Sequence, residues 1–158
     1  MFNKILVPLD GSELAGKVIS QAEDLAKSFN AQLVLLTVGS AEVGEIDEFA
    51  QEAFKSQAVA RLPAAKYLAA TTAALQAKGI KATWAYKQGA PAQWIINYAV
   101  EHQVDLIAMA SHGAGEIAWL LGSVAQRVVS HAPVPVLLIR VMQPKLPEHK
   151  DELDYFSM

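Results

Sequence analysis

The chain contains no cysteine. Disulfide scaffolds, thiolate metal sites, iron–sulfur clusters and cysteine nucleophiles are therefore excluded. It also lacks any uninterrupted apolar run of the roughly 18 residues that a membrane-spanning helix requires. The first residues, Met1 to Val7, show neither the long apolar core nor the small-residue cleavage site of a secretory signal, so the default expectation is a cytoplasmic protein. Basic charge is not in excess: 13 Lys and Arg against 16 Asp and Glu give a net charge of −3. A dedicated nucleic-acid binder should show a basic surplus, and no such partner is expected. Two phosphate-binding signatures are also missing. Asp10-Gly11-Ser12 stands after the first apolar run where a Gly-x-Gly-x-x-Gly turn would be, and no Gly-Lys-Ser/Thr closes a P-loop.

What remains is apolar and alanine-rich. Hydrophobic residues make up 53% of the 158 and charged residues 18%, a balance that folds rather than staying disordered. This length suits one domain with a substantial core. We place that domain at residues 1–142, followed by a polar tail at 143–158 with prolines at 144 and 147.

Five apolar runs alternate with helical patterns. The runs Ile5–Leu9, Gln32–Val38, Ile80–Tyr86, Asp105–Met109 and Val136–Arg140 read as strands buried on both faces. Ser12 is a suitable N-cap for a first helix that ends near Phe29, with Asn30 as its stop. A second helix is expected over 64–78, with Pro63 in its first turn and Gly79 as its stop. Gly89-Ala90-Pro91 opens a third, with Trp94, Ile95, Tyr98 and Ala99 on its inner side. A fourth starts near Gly122-Ser123 and runs to about His131. The segment 39–62, with Ile46, Phe49, Ala53 and Phe54 near helical spacing, reads as partly helical, either a solvated helix or a partner face. Strands alternating with helices imply an α/β fold with a doubly wound parallel sheet.

In such sheets a ligand sits beyond the carboxyl ends of the strands, where strand order reverses. Two loops carry suitable chemistry. Pro8-Leu9-Asp10-Gly11-Ser12 offers a carboxylate for hydroxyl groups, although Asp10 could equally close its own turn. The stretch from Met109 to Ser123 holds Gly113 and Gly115 and ends at a helix start. Unpaired N–H groups and the helix dipole make such a start an anion site, although Gly122-Ser123 could equally be an ordinary cap. Together they describe a nucleotide site, and Asp10 beside a triphosphate could share a divalent cation. His112, alone in a loop, reads as solvated. His131, near a helix end, complements the dipole. Trp84, Trp94 and Tyr98 read as core or dimer surface, and Trp119 as core or a partner contact.

The sequence resembles the universal stress protein family. The likeness is carried by Ile5-Leu6-Val7-Pro8-Leu9-Asp10-Gly11-Ser12, by Gly89-Ala90-Pro91-Ala92 and by Asp105 through Gly113. It continues in Gly122-Ser123-Val124-Ala125-Gln126-Arg127-Val128 and in His131 through Leu137, so that it covers residues 4–141 in family order. The resemblance implies five parallel strands in the order 3-2-1-4-5 and a homodimer joined through the last strand. It implies binding of ATP, with or without magnesium, or of ADP or AMP. By the same resemblance, Pro8, Leu9, Asp10 and Val38 would frame adenine and ribose. Met109, Ala110 and Gly113 would follow ribose and phosphates, and Gly122, Ser123 and Val124 would hold phosphates. The family's ATP binders usually show Gly-x2-Gly-x9-Gly-Ser/Thr. Here Ala110 replaces the first glycine, and eight residues, 114 to 121, separate Gly113 from Gly122. The expected function is a nucleotide-binding stress-response switch. Its alternatives are a partner-binding module independent of nucleotide, and a slow ATPase or autophosphorylating protein.

Overall fold

Five strands and four helices alternate along the computed structural model, which describes residues 1–39, 62–113 and 120–141. They are β1 (Lys4–Pro8), α1 (Ala15–Phe29), β2 (Gln32–Gly39), α2 (Pro63–Ala77) and β3 (Ala82–Gln88), then α3 (Pro91–Glu101), β4 (Leu106–Ala110), α4 (Ser123–His131) and β5 (Val136–Ile139). All strand pairs are parallel, in the order β3-β2-β1-β4-β5. The chain builds outward from β1 to β3, then crosses back to lay β4 on the other side of β1. Ile5 accordingly pairs with Leu33 on one side and Leu106 on the other. Five parallel strands in this order, with helices on both faces, are the arrangement that the family resemblance implied.

The period-2 alternation of the strands divides the core between the two faces. Ile5, Val7, Leu33 and Leu35 pack with α1 and α2 through Val18, Ala22 and Leu68. Leu6, Val34, Leu36 and Ile107 pack with α3 and α4 through Ile95, Tyr98 and Val128. Ile5, Leu6 and Val7 are all fully buried, and burying such a side chain contributes about 1.5–3 kcal/mol. A one-residue slip of β1 would exchange its two sets of partners, so the register is strongly fixed. The Asp105 carboxylate secures it further by accepting the backbone N–H groups of Asn3 at 2.9 Å and Lys4 at 3.2 Å. Asp105 thus ties β1 to the start of β4 rather than lying inside the strand.

Several boundaries differ from the sequence reading, each for a local reason. Ser12 does not cap α1. Leu14 occupies the N-cap position with no side-chain cap bond, and the Ser12 Oγ is buried without a hydrogen-bond partner. β3 starts two residues later than expected because the Ile80 N–H donates to the Leu75 carbonyl and closes the end of α2. It also runs two residues further, where Lys87 and Gln88 pair with Val38 and Gly39. Leu9 lies past the end of β1, yet its N–H still donates to Leu36 O at 2.8 Å. α1 ends as expected, with Asn30 left-handed at φ 51°, and Pro63 sits in the first turn of α2. Trp84 and Tyr98 are core, whereas Trp94 is only half-buried. The readings placed on Ile46, Phe49, Ala53, Phe54, Gly115, Trp119 and the tail from 143 fall outside the described residues. Among the described residues, no helix is long and apolar enough to cross a membrane.

Candidate functional site

β1 and β4 are neighbours whose following loops lead to opposite faces of the sheet, α1 on one and α4 on the other. A crevice therefore opens at their carboxyl ends. A cavity of about 120 Å³ lies there.

The first loop forms its floor. Asp10 Oδ1 accepts the Ser12 N–H at 2.9 Å, so Asp10 closes its own turn. Gly11, at φ +80°, supplies the positive angle that this turn needs. Pro8, Leu9 and Asp10 all line the cavity, and Val38 reaches it from the end of β2.

The second loop forms the opposite wall. Met109, Ala110 and Gly113 line the cavity from the end of β4, and Val124 does so from the first turn of α4. Ala110 thus stands in the wall. Gly122 and Ser123 are not among the lining residues. Gly122 is the N-cap of α4 without a side-chain cap bond, and Ser123 is its first helical residue. Ser123 is therefore not acting as the N-cap. The first N–H groups of any helix lack intrahelical acceptors, and those of α4 start beside the Val124 wall.

His112 is not solvated. It is 3% exposed and borders the cavity. Its Nδ1 lies 2.7 Å from Ser111 Oγ and its Nε2 is bonded to the Leu120 carbonyl. A carbonyl oxygen only accepts, so Nε2 carries the hydrogen. In the neutral ring Nδ1 then accepts the Ser111 hydroxyl. His131 does meet the end of its helix, with Nδ1 donating to Arg127 O at 3.0 Å.

Several wall residues escaped the sequence reading. Leu14, Ala15 and Val18 come from α1, and Leu36 from β2. Pro91 and Ile95 come from α3, and Ala125 from α4. Spacing could have found most of them. Leu36 lies two residues before Val38 on the same strand face, and Ile95 lies four after Pro91 on one helix face. The lining is largely apolar, with Asp10 its one carboxylate and no lysine or arginine among the described lining residues.

The sequence model of the universal stress protein family matches residues 1–140. Universal stress protein YxiE of Bacillus subtilis is 36% identical over 155 residues, covering 89% of this chain and 100% of that protein. The solved structure of hypothetical protein MJ0577 superposes with a TM-score of 0.71 at 27% identity, over 89% of this chain and 96% of the other. Universal stress protein UspA from Lactobacillus plantarum gives 0.70 at 25% identity, over 88% and 98%. A universal stress protein solved in complex with cAMP shares the fold, with a TM-score of 0.65 at 23% identity over 89% and 98%.

Proposed function

The chain belongs to the universal stress protein family, and from that premise we propose that it binds an adenine nucleotide, ATP first, and works as a homodimeric regulatory switch. One observation carries the reading: an apolar cavity lies between Asp10, the one carboxylate among its described lining residues, and the start of α4. A purine ring suits walls made by Leu9, Val38, Ile95 and Met109. The ribose hydroxyls would then point toward Asp10, and the phosphates would extend to the N-terminal turn of α4, where Gly122, Ser123 and Val124 lie. The cavity is smaller than the roughly 300–1,000 Å³ of clefts that enclose whole ligands. The base therefore fills it, and the phosphates lie along its rim.

The residues present suit a magnesium ion that arrives with the triphosphate rather than one held by the protein. Among the described residues there is no group of three or more His, Asp or Glu side chains able to hold a metal. Magnesium commonly binds through one or two carboxylates plus substrate phosphates. Among the described lining residues, Asp10 is the carboxylate that would reach such an ion.

The switch follows from which elements the ligand would touch. α1, α3, α4 and the ends of β1, β2 and β4 all border the cavity, so occupancy biases how the two helical layers sit on the sheet. Among the described residues, β5 pairs with β4 alone, and its Leu137 is 39% exposed. The other edge of β5 is where a second copy would join. The relative bound to cAMP supports the reading at the level of fold.

Calorimetric titration of nucleotide-stripped protein with ATP and magnesium tests it, with ADP, AMP and cAMP alongside. Saturable binding at one site per chain is the expected outcome. No heat and no thermal stabilisation at millimolar ATP would refute it. Ala110 in the cavity wall, in place of the glycine usual in ATP binders, would then favour the second reading, a partner-binding module that works without nucleotide.

A further inference from the structure

We infer that His112 is a positioning residue: it holds the N-terminal turn of α4 at the phosphate end of the cavity and so sets the preference for phosphate-bearing ligands over bare nucleosides. This rests on the nucleotide reading above.

The geometry is a two-point grip. The Ser111 carbonyl accepts the Gly122 N–H at 2.9 Å, and the next residue, His112, donates from Nε2 to the Leu120 carbonyl. The two bonds straddle Leu121 and fix the chain immediately before Ser123. Ser111 is itself anchored, since its N–H donates to Ile139 O at 2.9 Å. Its Oγ takes the Val141 N–H at 3.5 Å and orients the imidazole through Nδ1. Lys17 Nζ, from α1, donates to Val141 O at 3.0 Å. The imidazole thus passes the position of β4, β5 and α1 to the start of α4. Both Ser111 and His112 are buried, at 2% and 3% exposure, so water does not readily replace these bonds. Ligand groups held by helix N–H donors are sensitive to displacements of about 1 Å, whereas a base against apolar walls is more tolerant.

Two substitutions separate the ring's two bonds. His112→Gln keeps an N–H at the reach of Nε2 and can still donate to Leu120. His112→Asn keeps an acceptor near Nδ1 for Ser111 but falls short of Leu120. The experiment measures ATP and adenosine affinities by calorimetry for wild type and both variants, with amide hydrogen exchange at residues 122–125 in the absence of ligand. In His112→Asn, ATP affinity should fall about tenfold, equivalent to about 1.4 kcal/mol, while adenosine affinity changes less than about twofold. Exchange at 122–125 should quicken. His112→Gln, which lacks only the support at Nδ1, should recover most of both values, with ATP affinity back to within about threefold of wild type. Equal losses for ATP and adenosine, or no rescue by Gln, would overturn the positioning role while leaving nucleotide binding intact. A wild type that binds neither ligand would overturn the nucleotide reading and this role with it. Should His112→Asn not fold, Ser111→Ala takes its place. It removes the support at Nδ1 and should cost ATP, not adenosine, a severalfold loss, and equal losses would again overturn the role.

Discussion

Gly89 joins β3 to α3, and α3 brings Pro91 and Ile95 to the cavity. Its φ is +135°, and a Cβ added there would lie 2.9 Å from Trp94 Nε1 and 3.1 Å from Trp94 Cδ1. The indole has reasons to stay in place. Its Nε1 donates to Gln88 O at 2.7 Å, and the Lys87 ammonium sits 5.2 Å from the ring centroid. Gly89→Ala therefore carries two costs. A side chain at this backbone angle costs about 1–3 kcal/mol, and displacing the indole forfeits a hydrogen bond worth about 1 kcal/mol. The sum, about 2–4 kcal/mol, is a large part of a net stability of about 5–15 kcal/mol. At about 2–4 °C per kcal/mol for this size, Tm should fall by about 4–16 °C. Two other glycines serve as controls, because an added Cβ meets nothing within 4 Å at either. Gly11→Ala should lose only the about 1–2 kcal/mol of a left-handed backbone. Gly16→Ala, inside α1, should gain up to about 1 kcal/mol. Urea unfolding followed by tryptophan fluorescence ranks the three, read at unchanged m. If Gly89→Ala is no less stable than Gly11→Ala, the packing argument about Trp94 is wrong.

Ser12→Ala should be neutral or slightly stabilising in the same assay, because it removes a buried hydroxyl that has no partner. A loss of about 1 kcal/mol would instead restore the capping role expected from sequence. Ser123→Asp should separate stability from binding. The new carboxylate complements the dipole at the start of α4 by about 0.3–1 kcal/mol yet repels phosphates, so Tm should hold or rise while calorimetry shows ATP binding weakened at least about tenfold, or about 1.4 kcal/mol. Asp10→Asn keeps an oxygen to accept the Ser12 N–H and should leave Tm unchanged, while adenosine and ATP affinities both fall in calorimetry. Glu23 accepts hydrogen bonds from Lys27 at 2.8 Å and Lys78 at 2.9 Å. These bonds, that from Lys27 foremost, hold its carboxyl below the usual range. Its contribution is thus present above the unfolded-state value of about 4.3 and disappears as pH falls through the lower folded value. The stability gap between wild type and Glu23→Gln should be open at neutral pH and close in acid, measured by urea unfolding across a pH series.

The order of elements was legible because each strand announces itself as a short apolar run and each helix carries its own punctuation. Asn30, Pro63 and the Gly89-Ala90-Pro91 turn mark helix ends by backbone chemistry alone, and all three mark them in the fold. The strand order was a different matter. Nothing in the spacing of apolar residues says that β4 lies beside β1 rather than beside β3. That placement came from the family resemblance, and the fold agrees with it. The boundaries that moved were decided by partners distant in sequence. Lys87 and Gln88 are poor strand residues by composition, yet they extend β3 because β2 continues to Gly39 and offers them a ladder.

The site residues divide along the same line. Pro8 to Asp10 and Met109 to Gly113 are contiguous, so a motif can name them. Val18, Leu36 and Ile95 are ordinary core residues in sequence and become walls only because the crevice between the two layers ends at their side chains. His112 shows why a lone loop histidine is hard to read. Whether it is solvated or buried depends on the Leu120 carbonyl, eight residues on, and on Ser111, whose own anchor is β5. The sequence holds each partner but not the fact that they converge. The ring's two nitrogens make different bonds with different consequences. One steadies the ring against Ser111, and the other holds the start of α4. Only the bond from Nε2 acts on α4 directly, so losing it should cost more than losing the support at Nδ1. That asymmetry is why the Asn substitution is expected to lose ATP affinity and the Gln substitution, longer by one methylene, to recover most of it.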